Sequence, residues 1–317
     1  MSDAIIVGYH HVSSSPQHDP LCRGLEVAAS RFRQQLEILV RRFALVSLED
    51  LLESLARGSG GRPSAAITFD DGYEDNYTCA FPILARMGIP ATVFLCTDNI
   101  ERARPFWTDR LAAYVCRSAG AVVAAPDELS RPLDPTAVSD VRQRYERLRA
   151  ELSGLEYDRR EQVLDRLGAE AATPRPLTWC QVRHMHRDGI TFGAHTRSHP
   201  SLPRLSDASA RAEVEASRDL IRARLGAAPT VFAYPFGDAD DRVRQIVEAT
   251  GFRGAVTARS GRCGPNVDPL LLPRLMVQDW PRWGFERRLM TTRFAALLER
   301  ARAHARPGTG RGTQAGR

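Results

Sequence analysis

Ala65-Ala66-Ile67-Thr68-Phe69-Asp70-Asp71-Gly72-Tyr73 joins a short apolar run to two adjacent carboxylates and a glycine. The run is the length and composition of a buried strand, and Asp-Gly is a strand-ending turn. Two neighbouring carboxylates at a sheet edge repel, so they need a cation or a shared proton. Asp also suits a helix N-cap, and the fragment alone leaves that reading open. Downstream, a helix predicted through Met87 leads into a strand over Ala91 to Leu95. Strand, helix and strand at this spacing form a βαβ unit with parallel strands.

The same rhythm extends in both directions. Upstream, Ile5-Ile6-Val7-Gly8-Tyr9 reads as a buried strand that delivers His10 and His11 to a Ser/Pro loop. Apolar positions Phe32, Leu36, Leu39, Val40 and Phe43 recur at helical spacing between Val27 and Phe43, and a second helix is expected from Leu48 to Ala56. Downstream, strands are expected at Ile190 to Ala194, Val231 to Tyr234, Ala255 to Thr257 and Leu271 to Met276, separated by helices near Ser206 to Leu225 and Arg242 to Ala249. About seven parallel strands suffice to close an irregular α/β barrel. Between Glu101 and Arg175 the rhythm fails, and helical stretches around Val141 to Leu152 and Arg159 to Leu167 read as an insertion over one barrel mouth, acting as a lid or an oligomer-forming element. The chain is therefore expected to be one barrel over residues 1–305 with a helical insertion at 101–175, followed by a Gly- and Arg-rich disordered tail at 306–317.

Composition excludes several classes. Of 317 residues, 43% are hydrophobic and 26% charged, which supports a folded core. The net charge is +6, but every basic residue is Arg and these alternate with Glu instead of clustering, which argues against a nucleic-acid partner. The six cysteines contain no C-x-x-C pair and suggest reduced thiols. No stretch approaches the roughly 20 apolar residues of a membrane span, and Ala4 to Tyr9 lacks the flanks of a signal peptide. The expectation is a cytoplasmic protein, at most peripheral to the inner face of the membrane, of unassigned oligomeric state.

A second chemical motif, His195-Thr196-Arg197-Ser198-His199, follows another predicted strand and places two imidazoles four residues apart. Imidazole with carboxylate is a ligand set suited to one divalent ion, Zn²⁺ first, with Co²⁺, Ni²⁺ or Fe²⁺ also compatible. A third strand end, Phe232-Ala233-Tyr234-Pro235-Phe236-Gly237, runs into a Pro/Gly turn. T-F-D-D-G at 68–72, H-T-x-x-H at 195–199 and Y-P-F-G at 234–237, in this order, resemble the polysaccharide deacetylase family, also described as NodB-homology or carbohydrate esterase family 4. The resemblance implies a distorted (β/α)7 barrel, a metal held by Asp71, His195 and His199, Asp70 as general base, and an oxyanion site on the 234–237 turn from Phe236 and Tyr234. The chemistry suits the residue types: a metal polarises an amide carbonyl and lowers the pKa of water from about 15.7 toward roughly 7. A carboxylate then accepts the proton, and the departing amine needs a general acid.

Two departures from the common pattern stand out. The late histidine of many members is represented only by His304, beside the tail, whereas Tyr9-His10-His11-Val12 resembles the Y-H-x-V element of a permuted branch. That assigns the acid to His10, with His11 the alternative; strand alternation lets only one of them face inward. Where many members carry an Arg that holds the base, this chain has Val231, and Arg274 is the candidate replacement. Trp280 and Trp107 are candidate sugar-stacking residues, and His184 and His186 read as surface residues. The function expected is metal-dependent removal of N-acetyl groups from an amino sugar in a glycan, a lipid-linked precursor or a small glycoside. The alternatives are hydrolysis of another amide or cyclic imide, or a silent glycan-binding protein on the same fold.

Overall fold

The computed structural model describes residues 4–15, 21, 25–58, 62–118, 140–171 and 175–292. Among the described residues, seven of the main sheet's eight strands form the barrel, β1 (Ala4–Tyr9), β2 (Ser64–Phe69), β3 (Ala91–Leu95), β4 (Thr191–Ala194), β5 (Val231–Ala233), β6 (Gly254–Val256) and β7 (Leu275–Met276), while the eighth, Ala44–Leu45, pairs with β2 off this path. They run parallel in the order β7-β1-β2-β3-β4-β5-β6. The ring closes short of β7, where Val256 pairs in parallel with Leu272, and the Thr257 amide donates to the Leu272 carbonyl at 2.9 Å. One residue pair, Ala194 with Phe232, joins β4 to β5, which makes this a distorted (β/α)7 barrel. The expected last strand is thus split: Leu272 makes the closing bridge and only Leu275–Met276 joins β1.

Strand alternation sorts the side chains into two cores. Ala4 and Ile6 of β1, Ala66 of β2, Phe94 of β3 and Val231 and Ala233 of β5 point inward with Leu48, Leu51 and Leu52. Those leucines come from helix α2 (Leu48–Arg57), which follows α1 (Ala29–Arg42) and is capped by Ser47, whose hydroxyl accepts from the Asp50 amide. Because α2 plugs the barrel where the strands begin, the chemistry is left to the other end, where they finish. Ile5, Val7 and Tyr9 face outward into the larger core beneath the surrounding helices.

The helix expected through Met87 is a π-helical turn, Asn76–Ala80, running into α3 (Phe81–Met87); such turns are frequent at functional sites. Val27 and Ala28, where the helical stretch was expected to begin, instead belong to a short strand, Glu26–Ala28, that pairs in parallel with His11–Ser13. After β3 come α4 (Thr97–Arg102), α5 (Trp107–Arg117), α6 (Val141–Leu152) and α7 (Tyr157–Arg166), of which only the last two were legible as periodic stretches. Trp107, Leu111, Leu148, Leu152, Val163 and Leu164 give α5–α7 a core of their own. The outer helices α8 (Trp179–Arg187), α9 (Asp207–Leu225) and α10 (Asp241–Ala249) complete the wall. No helix among the described residues is long and apolar enough to cross a membrane. Cys22, His304 and the 306–317 tail lie outside the described residues, as do positions 119–139 and 172–174 of the expected insertion.

Leu51 is fully buried in the plug. Leu51→Ala is expected to lower unfolding free energy by about 2–5 kcal/mol in a denaturant titration, and an unchanged midpoint would contradict the plug.

Candidate active site

Four strand ends and Arg274, just before β7, converge on a cavity of about 450 Å³ at the mouth opposite α2. His10 follows β1, Asp70 and Asp71 follow β2, His195 and His199 follow β4, and Phe236 follows β5; all six line the cavity. The helical segment covers one side, with Arg142, Tyr145, Glu146 and Arg149 of α6 facing the same space.

Asp70 is 4% exposed and Arg274 is 1% exposed. Arg274 donates from Nη1 to Asp70 Oδ1 and from Nη2 to Oδ2, both at 2.7 Å, and its Nε donates to the Thr257 carbonyl at 2.9 Å. Burial alone would raise the Asp70 pKa, but the Arg274 guanidinium outweighs it and holds the carboxyl below its usual range. Arg274 thus presents to Asp70 a planar fork matched to a carboxylate.

Asp71 takes a different partner. Its Oδ1 is buried with no hydrogen bond, yet lies 3.4 Å from His195 Nε2 and 3.4 Å from His199 Nε2. His195 Nδ1 is 2.7 Å from the Ala233 carbonyl, which can only accept, so that nitrogen carries the hydrogen and Nε2 presents a lone pair to the carboxylate when the ring is neutral. Lone pairs facing a carboxylate oxygen call for a cation between them. With only protons available, Asp71 draws the His195 pKa up despite the opposing effect of burial, whereas burial pushes His199 down to about 3. One ligand atom from each of Asp71, His195 and His199 lies within 4.8 Å of the others, and this donor set fits a divalent metal.

The backbone is strained where these groups sit. Asp71 (φ 73°), Thr196 (φ 65°), His199 (φ 59°) and Phe236 (φ 60°) all adopt left-handed conformations, which cost about 1–3 kcal/mol each for residues other than glycine. Gly72 follows Asp71 with φ 79°, and a Cβ there would meet Leu95 Cδ2 at 2.8 Å, so only glycine fits the turn. Neither Asp70 nor Asp71 caps a helix: the next helical residues start at Glu74 and run into the Asn76–Ala80 turn.

The two N-terminal histidines separate. His10 faces the cavity with Nε2 3.9 Å from Asp70 Oδ2; burial lowers its pKa against the opposing pull of Asp70 and Asp71. His11 points away, with Nδ1 2.7 Å from Asp75 Oδ2 and its ring over Tyr73. Asn76 donates to the His10 carbonyl at 2.8 Å, a contact that no motif announced.

Three expectations need correcting. The Tyr234 side chain is fully buried in the outer core and its hydroxyl donates to the Leu270 carbonyl, so it does not line the cavity. Trp280 packs against the outer core beneath Arg288, with Nε1 donating to Gln278 Oε1, and is likewise outside the cavity wall. Trp107 is 3% exposed with its indole donating to the His199 carbonyl at 2.9 Å, so its ring is spent on packing and not on a sugar. His184 and His186 sit on α8, bonded to Tyr77 and to the Ile190 carbonyl, away from the mouth.

A family model described as polysaccharide deacetylase matches residues 57–255. Bacillus subtilis YxkH is 21% identical over 211 residues, covering 67% of this chain and 50% of its own. Chitin deacetylase 1 of Cryptococcus neoformans is 38% identical over 66 residues, 21% of this chain and 14% of its own. The chain thus spans half or less of the length of these curated relatives. Among solved structures, the Streptococcus pyogenes deacetylase PplD in complex with acetate superposes with a TM-score of 0.64 at 20% identity, covering 92% of this chain and 97% of that one. IcaB from Ammonifex degensii gives a TM-score of 0.60 at 18% identity, with coverage of 92% and 98%. At these identities the likeness is one of fold.

Arg274→Met leaves the buried Asp70 carboxylate uncompensated. A loss of about 3–5 kcal/mol in unfolding free energy is expected at neutral pH, and wild-type stability would contradict the pairing.

Proposed function

The chain belongs to the polysaccharide deacetylase family, and on that premise we propose that it is a metal-dependent hydrolase that removes N-acetyl groups from an amino sugar. The observation that carries the proposal is the orphaned Asp71 oxygen between two imidazole nitrogens on the floor of a cavity that also exposes Asp70 and His10. A divalent ion held by Asp71, His195 and His199 would polarise the amide carbonyl and acidify a water beside it.

The remaining steps fall to protein groups. Asp70, fixed and kept ionised by Arg274, accepts the proton of the attacking water. The Phe236 amide, on a left-handed turn at the mouth, is the candidate donor to the oxyanion as the carbonyl becomes tetrahedral. His10 donates the proton that lets the amine leave; it faces the cavity beside Asp70, and the Asp70 and Asp71 carboxylates oppose the burial that lowers its pKa. His11, bonded to Asp75, is not placed for this role. The helical segment, through α6, shapes the side of the cavity where the rest of the sugar would lie. An N-acetylated glycan, lipid-linked precursor or small glycoside fits the family, and an unrelated amide is the competing substrate class.

Separate roles predict separate phenotypes. Asp70→Asn is expected to keep one equivalent of metal by atomic emission and lose at least about 100-fold in acetate release, whereas His195→Ala is expected to lose the metal; wild-type activity in either would sink the assignment. His10→Ala is expected to cut turnover by about 10²–10⁴-fold with metal content unchanged, and a wild-type rate would move the acid elsewhere.

A further inference from the structure

Residues 197–201 are bonded from two sides. From the barrel wall, Glu213 of α9 accepts from the Ser198 amide at 2.8 Å and its hydroxyl at 2.6 Å, and the Glu213 carbonyl accepts from the Arg197 amide at 3.1 Å. From the opposite side come the helices of the segment between β3 and α8. Trp107, which opens α5, donates its indole N–H to the His199 carbonyl at 2.9 Å. Arg160 of α7 donates through Nη2 to the Ser198 carbonyl at 2.6 Å, and the Ser153 carbonyl, just past α6, accepts from the Ser201 amide at 2.8 Å. α5 and α7 thus each send one bond into the same loop, and the residue that follows α6 makes a third.

The two donors act on the groups that define one strained residue. The Ser198 and His199 carbonyls belong to the peptide planes on either side of the His199 Cα, so fixing both fixes its φ and ψ together. His199 sits at φ 59°, a conformation that persists only where surroundings over-determine it. Arg160 is 1% exposed, lies over the Trp107 ring at 5.0 Å, and keeps Nε and Nη1 buried without a hydrogen-bond partner among the described residues. A buried guanidinium with two unmet donors is a costly filler, so the bond that it does make explains its presence better than packing alone.

We propose that the helical segment is a clamp on the metal-binding loop: Trp107 and Arg160 are positioning residues that hold His199 in its left-handed conformation and thereby set affinity for the divalent ion. The inference rests on the reading of Asp71, His195 and His199 as metal ligands. It gives the segment a task in assembling the metal site, in addition to bordering the cavity.

The test is a chelator-competition titration with Zn²⁺ on the full chain, comparing wild type, Trp107→Phe, Arg160→Met, Arg160→Lys, His199→Ala and Leu148→Ala, with thermal unfolding of each metal-free protein alongside. Trp107→Phe keeps an aromatic ring but removes the N–H with part of the indole's bulk; Leu148→Ala removes bulk from the same core and touches neither bonding group. The clamp predicts that Trp107→Phe and Arg160→Met bind the ion about 10- to 100-fold more weakly, that Arg160→Lys recovers part of the loss, and that Leu148→Ala melts lower yet binds like wild type. Wild-type affinity in Trp107→Phe, with binding lost in His199→Ala, would overturn the clamp alone. Weakening in Leu148→Ala equal to that in Trp107→Phe would reduce the effect to stability and overturn it too. Wild-type affinity in His199→Ala would overturn the ligand assignment and the clamp together.

Discussion

Two carboxylates on consecutive residues at the end of one buried strand are the constraint around which this molecule is organised. In a regular strand, successive side chains point to opposite faces. The left-handed turn at Asp71, made possible by Gly72, brings both carboxylates to the same mouth. Buried side by side they repel, and the fold answers each differently. Asp70 receives a permanent cation, Arg274, through a two-pronged bond that favours its ionised form. Asp71 receives two imidazoles, which can share a proton or a metal ion but do not by themselves neutralise it. In the proposed mechanism, that asymmetry separates a base from a ligand.

The strain at the mouth follows from the same need. Asp71, Thr196, His199 and Phe236 are four of the five non-glycine residues with positive φ among the described residues, and three of them line the cavity. Strand ends deliver side chains along the barrel axis, whereas a common centre needs them turned inward, and left-handed turns do this within one residue. The hydrogen bonds that hold these turns come partly from within the motif, where Thr196 Oγ1 accepts from the His199 amide, and partly from outside it, where Glu213 holds Ser198 and Trp107 holds His199.

Much of the fold was legible because it is written locally. Each barrel strand is a short apolar run, and the amphipathic spacing of α1, α2 and α9 follows the 3.6-residue period. The candidate ligands were legible because they sit in short motifs at strand ends. What escaped depends on long-range contact. Arg274, 204 residues from Asp70, was singled out only through the arginine missing at Val231; nothing in Leu272-Pro273-Arg274 itself reveals that its bond to Asp70 is buried and two-pronged. Trp107 looked like a surface for sugar because composition cannot tell a ring that stacks on ligand from one whose N–H reaches a carbonyl 92 residues away. Tyr234 shares a turn with Phe236, but strand alternation sends its ring outward into the core. The α5 helix escaped because its apolar face packs chiefly against α6 and α7, a core with no counterpart in the strand rhythm.

The most direct test of the account is acetate release from N-acetylglucosamine oligomers by metal-stripped protein titrated with Zn²⁺. The account predicts no release without metal, a rise that saturates at one equivalent per chain, and loss of activity on adding a chelator. Release by the stripped protein that is indifferent to both Zn²⁺ and chelator would contradict it, because Asp71, His195 and His199 would then have no part in the chemistry.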